Sequence, residues 1–185
     1  MRSKTILSTA AFIVAFAASA AFANLFITKT QTVSNYALDN GYKSTSCFTH
    51  RNNSTTADKI SALIREDKNN ESVSGRKSYL GTEDEPPPFT SSLFPDYAVA
   101  VKRYAGDSNS IKASDLPNDF QVEWRAHMKA WRDYSEFLNR MKKPSIRAAL
   151  SNEEIKEVDD FHTRIINGTW EAVLRTGASY GADVY

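Results

Sequence analysis

The stretch that decides the fold is PNDFQVEWRAHMKAWRDYSEFLNRMK, residues 117–142. Its large side chains recur at alternating spacings of four and three residues, which places them on one face of an α-helix. The spacing predicts a helix from about Pro117, which suits a first helical turn, to about Lys142, with Pro144 as its stop. The positions on the predicted buried face are Phe120, Trp124, His127, Trp131, Tyr134, Leu138 and Met141.

A second long helix is predicted to follow Ser151. Ser151 and Glu154 have the spacing of a capping box, in which each side chain accepts a hydrogen bond from a backbone N–H at the helix start. A connection of roughly eight residues is short enough to keep two neighbouring helices antiparallel. The sequence therefore predicts a mainly α protein, a small helical bundle built on a C-terminal antiparallel helical hairpin. The side chains that share one face of the second helix are Ile155, Val158, His162, Ile165, Ile166, Thr169 and Val173.

The chain before this hairpin is more polar. Asp96 is suited to cap a helix of about ten residues, carrying Tyr97, Val101 and Tyr104 on one side and ending at Gly106. We expect a helical domain over residues 94–185.

Residues 24–93 are predicted to form a polar, partly disordered arm with short helices. One short helix would carry Tyr36 and end at Gly41, and another would carry Ile60, Leu63 and Ile64. Residues 66–92 contain three consecutive prolines and little apolar area, so we expect a long loop there, disordered or extended.

The N-terminus has the pattern of a secretory signal peptide. Arg2 and Lys4 precede an uncharged apolar stretch, and small residues suited to cleavage end the segment at about residue 23. An uncleaved membrane anchor is the alternative, since residues 6–27 make a low-polarity run of 22 residues and about 20 span a bilayer. Both interpretations predict an exported protein, periplasmic or extracellular if cleaved and otherwise anchored to the membrane by that segment.

Composition narrows the possible functions. The chain has 23 Lys and Arg against 22 Asp and Glu, and removing Arg2 and Lys4 leaves 21 against 22, a net charge of −1. Because nucleic-acid-binding proteins carry a basic excess or stripe, this balance argues against that class. The one cysteine, Cys47, excludes an internal disulfide.

Two histidines on the predicted apolar faces, His127 and His162, are the candidate ligand or cofactor residues. A histidine there could bind haem or a metal, or could be a neutral core group hydrogen-bonded to a neighbour such as Tyr134 or a backbone carbonyl. Trp124, Trp131 and Tyr134 could line an aromatic ligand pocket or could simply fill the core.

The expected register of the hairpin separates the two histidines. If Lys142 lies opposite Asn152, His127 is level with about Asn167, about five residues, or roughly 7–8 Å, from the level of His162. A shared small ion would require that offset to close, so we predict no metal site and no cofactor.

No residue is assigned a catalytic role from the sequence. The chain has no G-x-S-x-G elbow, no glycine-rich phosphate loop and no C-x-x-C-H haem attachment motif. The pattern favours a non-enzymatic binding or assembly protein that meets an unknown protein partner or copies of itself, with no nucleic acid. Membrane contact would occur only through an uncleaved N-terminal segment. The alternative is a helical bundle that binds a small ligand, haem or a metal through the histidines.

The residues from Leu116 through Phe120 to His127 and Trp131 resemble a pattern in uncharacterised exported bacterial proteins. In that pattern a proline and a phenylalanine open a helix that continues to His-x-x-Ala-Trp. The resemblance implies a bacterial helical module and carries over no activity.

Overall fold

The computed structural model describes residues 54–81 and 85–185. Within these residues it contains five α-helices and no strand, which confirms the mainly α prediction. The predicted signal peptide or anchor, the predicted helix around Tyr36, and Cys47 lie outside the described residues. The helices are α1 (Ser54–Ser74), α2 (Phe94–Asn109), α3 (Asn118–Met141), α4 (Pro144–Arg147) and α5 (Asn152–Ser179), with a 3-10 helix (Arg76–Tyr79) between α1 and α2.

Helices α3 and α5 form the predicted antiparallel hairpin. Near one end, the Tyr180 hydroxyl donates to both carboxylate oxygens of Asp119 at 2.9 Å. Towards the other end, the rings of Phe137 and His162 lie with their centroids 5.3 Å apart. The predicted capping box at the start of α5 is present, since the backbone N–H of Glu154 donates to the Ser151 hydroxyl at 3.1 Å and the reciprocal bond is 2.8 Å.

The register of the hairpin differs from the one assumed in the sequence analysis. His127 contacts Thr169 rather than lying level with Asn167, and His162 packs against Tyr134 and Phe137. The extra helical turn of α4 lies in the connection, so the chain does not return directly from Lys142 into α5. At His127 the contact therefore lies two residues along α5 from the predicted level.

Helix α1 is longer than predicted, and the prediction of a loop from residue 66 was wrong for residues 66–74. Its buried face continues past Ile64 to Asp67 and Ser74 at helical spacing. Because polar residues occupy the later buried positions, the apolar periodicity ends before the helix does. Contacts with α2 stabilise it instead.

Helix α2 is also longer than the ten residues predicted. It begins at Phe94 and passes through Gly106 to Asn109. The helix continues through Gly106. A β-carbon at this position would meet open space, so the packing does not require a glycine there. Its buried face includes the predicted residues Tyr97, Val101 and Tyr104.

The described part of the proline-containing segment packs against the helices. The Phe89 ring lies 4.9 Å from that of Phe94 and 5.8 Å from that of Phe137. The Arg147 side chain donates to the Phe89 carbonyl at 2.9 Å. Residues 85–93 therefore cross the helices in contact with them. Of the two predicted alternatives, this agrees with a crossing rather than with disorder.

The C-terminal residues pack across α1. The Asp183 backbone N–H donates to the Ser61 hydroxyl at 2.8 Å. A β-carbon on Gly177 would lie 3.1 Å from Ile60 and 3.3 Å from Val184, so glycine permits a close approach of α5 to both. In the described part of the chain, no helix is both long and apolar enough to cross a membrane.

Candidate functional site

The five candidate residues lie together in one continuous row of rings between α3 and α5, called here the aromatic row. Neighbouring ring centroids are 5.7–6.3 Å apart along the row. Packing of this kind contributes about 0.5–1.5 kcal/mol per pair beyond the buried area. The row comprises Trp124, His127, Trp131, Tyr134 and His162, with Phe137 and Trp170 beside it.

His127 is buried within this row, and both of its ring nitrogens are hydrogen-bonded. The Trp131 indole N–H donates to His127 Nε2 at 3.1 Å, so the proton of the neutral ring lies on Nδ1. Nδ1 is 3.0 Å from the Thr169 hydroxyl, which in turn donates to the carbonyls of Ile165 and Ile166 at 2.8 and 2.9 Å. Burial lowers the pKa of His127 to about 4, so the ring is neutral at physiological pH.

The partners of His127 agree only in part with those suggested by the sequence, since a hydrogen bond to the backbone of Ile166 contributes to its pKa. Tyr134 does not bond to the imidazole, and Trp131 and Thr169 do. In this arrangement neither nitrogen has a lone pair available to a metal, because one accepts a hydrogen bond and the other carries the proton.

His162 has a different environment at the other end of the row. It is half-buried, and its ring packs against Tyr134 at 5.7 Å, Phe137 at 5.3 Å and Phe161 at 5.8 Å. Burial lowers its pKa to about 4. None of the other residues that the structure describes hydrogen-bonds to its ring nitrogens.

The structure does not bring the two histidines into one site. The rings around His127 are Trp124, Trp131 and Trp170, and none of them is among those around His162. Over residues 54–81 and 85–185, no group of three or more histidine, cysteine or acidic side chains is arranged to hold a metal ion.

A second buried polar region, which the sequence analysis missed, lies between α1, α2 and the 3-10 helix. We call Asp67, Glu71, Arg76 and Tyr104 the polar cluster. The Tyr104 hydroxyl donates to the Asp67 carboxylate, with both oxygens at 3.0 Å, and Asp67 is only 3% exposed. Burial raises the pKa of Asp67 to about 6, although hydrogen bonds from Ser108 and Tyr104 act in the opposite direction.

Arg76 joins the polar cluster to the aromatic row. Its guanidinium forms an ion pair with Glu71 and lies 4.8 Å from the centre of the Trp131 ring and 5.7 Å from that of Tyr104. Such cation–π contacts contribute about 0.5–2 kcal/mol, depending on how far the cation is removed from water. Trp131 thus bonds to His127 with its N–H and meets Arg76 with its face.

Two further buried phenols lie beside this junction. The hydroxyl oxygens of Tyr97 and Tyr134 are 3.5 Å apart. Burial raises the pKa of each, and it also raises the pKa of Asp159, which bonds to Tyr134. Burial therefore keeps the hydroxyls of Tyr97 and Tyr134 protonated and favours the protonated form of the Asp159 carboxyl.

The polar cluster left a weak signal in the sequence. Asp67 follows Ile60 by seven residues and Ile64 by three, which is the spacing of the buried face of α1. A charged residue on that face would have stood out if the helix had been predicted beyond residue 65. Nothing in the spacing identifies Arg76 as a partner of Trp131, because that contact depends on how the 3-10 helix packs.

Comparison with family models, curated proteins and solved structures finds no significant match to this chain. Its function is therefore argued from its own residues.

Proposed function

We propose that the protein is an exported, non-enzymatic helical module that binds a partner protein or associates with copies of itself. The observation that carries this proposal is the environment of His127, whose two nitrogens are both satisfied by Trp131 and Thr169 inside a closed aromatic row. The most distinctive chemical group of the chain thus acts as part of the core. The proposal of export rests on the pattern of the N-terminal segment.

The strongly shifted titratable groups also favour a structural role. Asp67, His127 and Tyr134 are each at most 3% exposed, and each is bonded to another buried side chain. A general acid or base has to reach a substrate atom within hydrogen-bonding distance. Each of these three groups bonds to a neighbouring side chain of the fold instead, which is typical of interactions that fix helix packing.

A ligand-binding bundle is the second candidate, and His162 is the observation that favours it. The ring is half-buried and carries no hydrogen bond within the described residues, unlike that of His127. An imidazole in that condition could bind a metal or haem iron from the protein surface. This function would belong to His162 and the rings beside it.

The full chain, expressed in a bacterium and recovered from its periplasm, tests the two candidates together. We expect a colourless, metal-free protein by absorption spectroscopy and elemental analysis. Intact mass should show loss of the N-terminal segment. Light scattering at several concentrations, followed by chemical cross-linking in cells, should show a dimer or a specific cross-linked partner.

Paired histidine variants distinguish the outcomes. A Soret band or stoichiometric metal that persists in His127→Gln and is lost in His162→Ala would overturn the proposal in favour of the second candidate. Retention of the chain in the cytoplasm would overturn export. A monomer with no cross-linked species would contradict the binding role.

A further inference from the structure

A cleft opens where the end of α2 and the loop after it meet α3. Its volume is about 360 Å³, within the range of small-molecule sites in proteins. Trp124 and Met128 lie at its floor, but their total exposed fractions, including what they show in the cleft, are only 3% and 2%. Ile111 adds an apolar wall. The cleft therefore offers apolar contact mainly through Ile111 and Ala113.

The wall of the cleft is held in place before any ligand arrives. Gln121 on α3 donates from its amide to the Ser114 carbonyl at 3.1 Å and to the Leu116 carbonyl at 2.8 Å. At the opposite end, the Arg132 side chain donates to the Asn109 side chain at the end of α2. A site fixed in this way loses little conformational entropy on binding.

Two arginines give the cleft a positive rim. Arg125 and Arg132 are exposed, line the cleft, and stand seven residues apart on the same side of α3. None of the residues lining the cleft is acidic, and neither arginine forms an ion pair with another described residue.

The hydrogen-bonding capacity of these arginines is largely unused. Arg125 donates to the amide oxygen of Gln121 at 3.2 Å, and Arg132 donates to that of Asn109. A guanidinium has five N–H donors, so each retains donors for another partner. Lys129, between them in the sequence, differs because it is paired with Asp133.

We propose that this cleft binds a small organic anion, a carboxylate or phosphate carried on an apolar or aromatic body. Arg125 and Arg132 pair with the anionic group, because the guanidinium fork matches both carboxylate and phosphate oxygens. Ile111 and Ala113, with the small exposed parts of Trp124 and Met128, contact the body. The site goes beyond the partner binding proposed above and stands on the cleft alone, so either proposal can fail without the other.

Calorimetric titration of the purified full chain tests the site with matched probes. 4-Phenylbutyrate and phenyl phosphate supply the two kinds of anion, and 4-phenylbutyramide supplies the same body as the first without charge. We expect at least one anion to bind with a Kd on the order of 0.1–1 mM. The amide should bind at least about ten-fold more weakly than 4-phenylbutyrate if the carboxylate is the preferred anion. The stronger of the two anions identifies the class of ligand.

Substitutions locate the binding. Arg125→Gln with Arg132→Gln should weaken binding of the anion at least about ten-fold. Arg164→Gln, which removes an exposed charge from α5 away from the cleft, should leave it unchanged. Ala113→Phe keeps both arginines and fills the cleft from its loop, so it should also weaken binding. Helix content by circular dichroism checks that each variant is folded.

The proposal is overturned if neither anion binds, or if 4-phenylbutyramide binds as tightly as the stronger anion. It is equally overturned if binding survives the double arginine substitution or Ala113→Phe in folded protein. A loss in Arg164→Gln as large as that in the double variant would show only general attraction to positive charge.

Discussion

His127 and Asp67 are the centres of two buried polar regions built on opposite principles. His127 is surrounded by aromatic rings and by neutral donors and acceptors. Asp67 lies among a phenol, a serine hydroxyl, a second carboxylate and a guanidinium. Burial disfavours the charged form of each group. It lowers the pKa of His127 to about 4 and raises the pKa of Asp67 to about 6. The difference shows that one physical cause gives opposite responses to pH.

The sign of each response follows from which state binds more protons. Between about pH 6.5 and 4 the unfolded chain protonates His127 while the folded protein does not, so acidification lowers the free energy of unfolding. Between about pH 4 and 6 the folded protein keeps Asp67 protonated longer than the unfolded chain does, so a rise in pH lowers that free energy. The two regions therefore oppose each other over mildly acidic pH.

Replacing Trp131, which contacts both regions, should have the largest effect. Trp131→Ala removes the donor to His127, the ring above which Arg76 lies, and the edge contact with Tyr104 at 4.8 Å. We expect the free energy of unfolding, measured by urea denaturation, to fall by about 3–5 kcal/mol.

Two matched variants sharpen that result. Trp131→Phe keeps a ring but removes the N–H, so it should cost about 1–3 kcal/mol for the unsatisfied His127 nitrogen. Val122→Ala, on the exposed side of the same helix, should change stability by no more than about 0.5 kcal/mol. If Trp131→Ala lowered the free energy of unfolding no more than Val122→Ala does, the contacts of the Trp131 ring with His127 and Arg76 would be contradicted.

The two regions were not equally predictable from the sequence. The helix around His127 has large side chains at all of its buried positions except Ala130 and Ser135, so its face and its antiparallel partner could be predicted from spacing alone. The helix around Asp67 buries serine and aspartate at positions where the pattern would need apolar residues. The spacing therefore predicts a loop where the second half of this helix lies, and tertiary contacts that spacing does not encode make it helical.

The bonding partners were unpredictable for a different reason. Pairing His127 with Thr169 required the register of the hairpin to better than the two residues by which the expected level, about Asn167, differs from the observed one. The Asp67–Tyr104 bond joins residues 37 positions apart on two separate helices. Sequence periodicity identifies which face of a helix is buried, and it says nothing about which side chains meet across the interface.

Replacing His127 should remove the larger of the two pH responses. In the wild-type protein, the shift of this group from 6.5 to about 4 should lower stability by about 2 kcal/mol between about pH 7.5 and pH 5. The His127→Gln protein has no titrating group at this position. Its stability relative to wild type should therefore rise by about 2 kcal/mol as the pH falls from about 7.5 to about 5. Urea unfolding at several pH values measures it.

His162 provides the comparison within the same row, because burial also lowers its pKa to about 4. His162→Gln should flatten the remaining acid response, and the two substitutions together should remove more than either alone. A His127→Gln protein with the full wild-type pH dependence would show that His127 is not the buried neutral group described.

Asp67→Asn should give the smallest of these changes and the opposite sign. Asn keeps the shape of the side chain and its bonding capacity towards Tyr104 but cannot ionise. Relative to wild type, its stability should rise by about 1.5 kcal/mol between about pH 5 and pH 8, because wild-type Asp67 ionises in a buried site over that range.

Tyr104→Phe tests the same site from the other side. The Tyr104 hydroxyl favours the ionised form of Asp67, so removing it should raise the pKa of the carboxyl further and steepen the loss of stability as pH rises. Asp67→Asn and Tyr104→Phe should thus change the slope in opposite directions, although both alter the same hydrogen bond. Slopes that changed together would mean that the bond itself, rather than the ionisation of Asp67, controls stability in the polar cluster.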